Sequence, residues 1–179
     1  MTPTDELRYP TGPMPAPRNY TEHEQKTNLS TLATYPQKLT DLVQTWPDLW
    51  LETPYRPSGW TVRQVVHHLA DSHMNAYVRT RLVLTEDNPR ICPYEEQEWA
   101  KLADSDLPIA PSLVLLTSLH LRWVRCLAAL APPQLARTYL HPGNGQTYTV
   151  ADVLALYAWH GEHHYQHIAR LAQRNGWEG

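Results

Sequence analysis

Residues 159–168 read WHGEHHYQHI, which places four of the chain's ten histidines, His160, His163, His164 and His167, within eight positions. A neutral imidazole nitrogen is a common metal ligand, binding zinc at about 2.0–2.1 Å. Residues four apart on a helix lie one above the other, so His160 and His164 could reach a single ion. Spacing alone leaves a second reading open, in which the cluster is a polar helix stripe or a set of hydrogen-bonded core imidazoles. It is not the zinc-protease motif. That motif requires HExxH, whereas residues 160–164 read HGEHH, and Glu162 projects roughly 200° away from His160 around a helix.

A third ligand would decide between the two readings, and VVHHLADSH at residues 65–73 offers His67, His68 and His73. The apolar face of that segment runs through Val62, Val65, Val66, Leu69, Ala76 and Val83, with His73 near its middle. His68 lies on one flank, in line with Ser72, Asn75 and Arg79, while His67 lies toward the other. Periodicity does not choose between His68 and His73 and slightly favours His73.

These residues must be carried by helices. Thr21 with Glu24, Thr61 with Gln64, and Thr149 with Asp152 have capping-box spacing at three helix starts. The first helix runs through Leu29, Leu32, Leu39 and Leu42, with Pro36 expected to interrupt or kink it. The second runs from Thr61 to Glu86, a third apolar helix spans Ser112–Leu130, and the fourth, bearing the histidine cluster, should end near Asn175 or Gly176. Its buried stripe is Val153, Tyr157, His160, His164, Ile168 and Leu171, with His167 at the edge and His163 turned toward solvent. TYLHPGNGQTYTV suggests a small hairpin. Residues 87–111, broken by four prolines, form a long excursion of the kind that is more often functional or interfacial than idle, with a helical turn around Glu95–Leu102. Residues 1–20, with five prolines, read as an extended arm. The expected fold is all-α, a single-domain four-helix bundle over residues 1–179 with long connections.

Composition narrows the partners. A net charge of −3 without a basic run argues against nucleic acid, and no segment has the length or apolarity of a membrane span or secretory signal. Cys92 and Cys126 lie outside any CxxC or metal-ligand spacing, as expected of a protein in the reducing cytoplasm. Small molecules, as substrate, or other proteins are the expected partners.

Several blocks, in this order and spacing, carry a more specific signal: LRYPTG, TPYRPSGWTVRQVVHHLADSHMNAYVR, CPYEEQEWAKL, LHLRW and LYAWHGEHHYQHI. Together they cover nearly the whole chain, and the chain strongly resembles the YfiT-like metal-dependent hydrolases of the DinB superfamily. The resemblance implies a DinB-like bundle, a cytoplasmic homodimer and one divalent metal per subunit. The implied ion is zinc first, with nickel or another transition metal as alternatives. Carried over by motif, the implied ligands are His68, His160 and His164, which makes His73 a core or supporting histidine. His67 and His163 become groups behind the ligands or facing solvent.

Three protein ligands leave one coordination position open. The catalytic group would be a metal-bound water or a metal-bound thiolate, because a metal lowers the pKa of both. The resemblance accordingly implies a hydrolase or a bacillithiol-type S-transferase using a low-molecular-weight thiol. The alternative is an inactive metal-binding or stress-response interaction module, since fold does not settle function. No carboxylate base is evident beside the histidines. Asp71, one turn after His68, points about 60° away. Ser72, Asn75 and Arg79 are candidate substrate-binding residues, with Arg79 suited to clamp an anionic group.

Overall fold

The computed structural model describes residues 3–177. Four long helices form the body: α2 (Glu22–Val43), α4 (Val62–Thr85), α6 (Ala110–Leu127) and α8 (Val150–Asn175), preceded or joined by the short helices α1 (Pro3–Arg8), α3 (Asp48–Leu51), α5 (Glu96–Trp99) and α7 (Pro132–Leu135). All three capping boxes form, at Thr21, Thr61 and Thr149, and fix where α2, α4 and α8 begin. Gly176, in the left-handed region at φ 66°, ends α8. α2 packs against α6 and α8, and α4 packs against the same pair, which makes a four-helix bundle with α2 and α4 on one diagonal. The hairpin forms as β1 (Thr138–His141) and β2 (Gln146–Thr149), with Tyr139 opposite Tyr148.

Two sequence expectations are corrected. Pro36 does not interrupt α2, which is helical throughout Glu22–Val43. Proline removes the N–H that would have bonded the Leu32 carbonyl, and His120 Nδ1 lies 2.7 Å from that carbonyl instead. The break in the ladder is thereby satisfied from a neighbouring helix. The N-terminal segment is not extended throughout, since Pro3–Arg8 is helical. Beyond it the chain lies on α8, where the Pro10 carbonyl accepts from Arg170 and an Asp152 carboxylate oxygen accepts from the Arg18 N–H.

The apolar core is divided. One cluster contains Leu39, Val62, Val65, Val66, Leu69, Leu116 and Ile168, and the other Leu32, Ala76, Val83, Trp123, Val150, Val153 and Leu154. On α4 the first cluster ends at Ala70 and the second begins at Ala76; Ser72 and His73 lie between them and His68 within the last turn of the first, and all three are buried. On α8 the same boundary carries the cluster from His160 to His167, and on α6 His120 lies next to it, one residue past Leu119. A polar histidine layer thus lies across the middle of the bundle.

Candidate metal centre

His68 comes from the second turn of α4, and His160 and His164 come from successive turns of α8. Their available ligand atoms all lie within 4.8 Å of one another, and His68 Nε2 stands 3.3 Å from His160 Nε2. The ring centroids are 4.6–5.3 Å apart. A tetrahedral ion with nitrogens at about 2.0–2.1 Å sets its ligands roughly 3.3 Å apart, so the His68–His160 separation fits such an ion as it stands. Burial pushes His68 down to about 4. Burial, followed by the neighbouring imidazoles, holds His160 and His164 well below the ordinary histidine value. All three rings are therefore neutral near pH 7, the state in which imidazole donates a lone pair.

Gly161 allows the two turns of α8 to sit close to α2. A Cβ there would come within 3.0 Å of the Tyr35 ring, and that ring stacks on His73 at 5.7 Å. The glycine of HGEHH thus permits this close approach, and a side chain there would have to displace the Tyr35 ring by a few tenths of an ångström.

A cavity of about 290 Å³ opens on the three imidazoles, and its walls include Tyr55, Arg56, Trp60, Glu96, Gln97, Trp159 and His163. Trp60 packs its ring 4.7 Å from His68. Glu96, the first residue of α5, supplies a carboxylate to this cavity, and partial burial raises its pKa. It is not identifiable as a base from sequence, because it lies 28 positions beyond His68 and no spacing within one helix links the two. Its sequence signals are the length and proline content of the 87–111 excursion and its place in the CPYEEQEWAKL block, neither of which assigns it a role. Asp71 shares a narrow crevice with His68 and Glu96; burial, aided by Asp104, raises it to about 6.

The chain covers 97% of its length in an alignment at 48% identity with a Bacillus cereus (strain AH820) protein named "Putative metal-dependent hydrolase", of which 99% is covered. A Bacillus anthracis protein of the same description aligns at the same identity and coverage. A profile of the DinB superfamily matches residues 31–168. The chain belongs to the DinB superfamily. This DinB protein superimposes on the solved structure of YfiT from Bacillus subtilis with a TM-score of 0.94 at 43% identity, over 97% of this chain and 99% of that one. YfiT is described there as a probable metal-dependent hydrolase with an unusual four-helix bundle topology. A second four-helix bundle protein, TT2238, shares the fold at a TM-score of 0.53 and 21% identity.

The remaining sequence candidates are dispersed within the DinB fold. His73, which periodicity slightly favoured as a ligand, is fully buried behind His160, its Nε2 3.2 Å from His160 Nδ1. His67 is buried between α4 and α6, within 2.7 Å of Ser112 Oγ. His163 does not face solvent, because the N-terminal arm covers it and Thr11 Oγ1 lies 3.0 Å from its Nδ1. Glu162 points away from the imidazoles and pairs with Lys38 at 2.6 Å. Ser72, Asn75 and Arg79 do not line the cavity. Asn75 donates to the Asp71 carbonyl one turn back, and Arg79 donates to the Cys92 carbonyl, anchoring the start of the excursion.

Proposed function

We propose that this protein is a metal-dependent hydrolase of a small molecule, with His68, His160 and His164 holding one divalent ion. The supporting observation is a set of three neutral imidazoles, His68 buried and His160 and His164 partly open to the cavity, facing one another where a carboxylate also lines the wall. Zinc suits three nitrogen ligands, and nickel or another transition metal would be accepted by the same donors. When bound, the ion supplies Lewis acidity and makes a coordinated water or thiol more acidic.

The chain's own residues supply the rest. The Glu96 carboxylate takes the proton of the attacking water and returns it to the leaving group, a role to which its raised pKa is suited. Trp60 and Trp159 wall the cavity with aromatic rings that limit water, and the Trp159 indole N–H is buried with no partner among the described residues. Arg56 offers a cation at the cavity wall for an anionic substrate.

Arg56 also favours a second reading, transfer of a carboxylated low-molecular-weight thiol of the bacillithiol type, in which Glu96 has no necessary part. The homodimer and cytoplasmic location implied by the resemblance complete this proposal; sedimentation velocity measures the first.

The deciding experiment is metal analysis of untagged protein followed by assays with ester, amide and thiol-plus-electrophile substrates. About one equivalent of metal, lost in H68A, H160A and H164A, supports the site. Hydrolysis that falls about 10²–10⁴-fold in E96Q with metal retained supports the hydrolase, whereas conjugation of thiol unaffected by E96Q supports the transferase. Full metal retention in all three histidine variants would remove the proposal, and a loaded protein without turnover would leave the binding-module alternative.

A further inference from the structure

Behind two of the cluster's rings stand further imidazoles, and each series ends on a backbone carbonyl. We propose that His73 and His120 on one side, and His167 on the other, are positioning residues that fix the tautomers of His160 and His164. Both rings would then present Nε2 lone pairs to the ion. The proposal rests on the metal-site reading above.

The first series begins in α2. Pro36 has no N–H to return to Leu32, so the Leu32 carbonyl lacks its helical donor. His120 Nδ1 lies 2.7 Å from it. A carbonyl only accepts, so the His120 proton is on Nδ1 and its Nε2 is a lone pair. That lone pair, 2.8 Å from His73 Nδ1, receives the His73 proton. His73 Nε2 is then itself an acceptor, and His160 Nδ1 at 3.2 Å donates to it. What remains on His160 is an unprotonated Nε2, the atom 3.3 Å from His68.

The second series is shorter. Arg8 ends α1, and its carbonyl lies 3.2 Å from His167 Nε2, which must donate. His167 Nδ1 therefore accepts from His164 Nδ1 at 3.4 Å, leaving His164 Nε2 unprotonated. Among the described residues the hydrogen-bond partners of these five rings are other imidazoles and backbone carbonyls, never a carboxylate. Nothing there would balance an imidazolium, so the rings are neutral and the direction of each series follows from its carbonyl end. Metal-bound histidines ordinarily direct their second N–H to a carboxylate, carbonyl or water. Here the acceptor is another imidazole, held in one tautomer by the main chain.

Long-range ¹H–¹⁵N spectra of metal-free, ¹⁵N-labelled protein test the tautomers directly. His73, His120, His160 and His164 should be protonated at Nδ1 and His167 at Nε2. A proton on Nε2 of His160 or of His164 overturns the proposal. Calorimetric titration with zinc ion supplies the second readout. H73L should bind zinc roughly 10–100-fold more weakly. H73Q, whose amide oxygen can accept from His160 Nδ1, should recover most of that loss. Unchanged zinc affinity in H73L overturns the positioning role. The spectrum of the unsubstituted protein remains decisive if H73L does not fold. If the unsubstituted protein takes up no zinc, the metal-site reading fails separately, and the spectrum still decides the tautomers.

Discussion

At the residue scale, two arginines that are equivalent by charge have different surroundings. Arg79 donates to the Cys92 carbonyl and does not line the cavity, reaching it only through its charge near Glu96, whereas Arg56 lines it. Arg79→Ala should therefore lower stability by about 1–3 kcal/mol, the usual cost of losing a charged hydrogen bond, with KM unchanged. Arg56→Ala should raise KM for an anionic substrate with little effect on the melting temperature. Denaturant titration beside steady-state kinetics separates the two, and an increased KM in the Arg79 variant would restore it as a substrate residue. His67 is likewise distinguished only by its neighbours, Ser112 Oγ at 2.7 Å and the Leu107 carbonyl at 3.0 Å. Nothing in the doublet at positions 67 and 68 separates the two histidines by type.

At the element scale, the N-terminal segment acts on α8 over a large sequence separation. The Arg8 and Pro10 carbonyls accept from His167 and Arg170, and Thr11 covers His163. Deleting residues 1–12 should make His163 and His167 accessible to diethyl pyrocarbonate, read as faster histidine acylation; an unchanged rate would show that the arm does not protect them. The α4 capping box is a more local device. Thr61→Ala should cost about 1 kcal/mol, measured by chemical denaturation, because the first-turn N–H of Gln64 loses its acceptor. The capping pairs were legible in sequence because they depend on residues three apart. Burial of His163 was not, because its cover comes from a segment with no period of its own.

At the scale of the whole molecule, a neutral histidine layer divides the core, and this makes the fold sensitive to acid. Burial pushes His120 down to about 4 from an ordinary value near 6.5. The unfolded chain therefore takes up a proton below pH 6.5 that the folded protein refuses until about pH 4. Stability contributed by this group is complete above pH 6.5 and is lost as pH falls between those values. The loss from His120 alone is on the order of 3 kcal/mol. Urea titrations of metal-free protein from pH 7.5 to 4.5 should show a falling midpoint that begins near 6.5; a flat profile across that range would contradict neutral burial. Added zinc should raise the melting temperature in proportion to the logarithm of its excess over Kd, and the H160A variant should not respond.

The sequence by itself determined the four helices, the capped starts of three of them, the hairpin and the inward direction of His160 and His164, because periodicity and capping are local properties of the chain. Motif resemblance added His68, which periodicity ranked below His73. Only the tertiary structure decided that His73 stands behind His160, that Glu96 reaches the cavity from the 87–111 excursion, and that Ser72, Asn75 and Arg79 do not. It also turned Pro36 from a helix interruption into the reason a carbonyl of α2 is free for His120. Each of these depends on groups from different helices or loops meeting across the bundle, and no pattern within a single segment encodes such a distance.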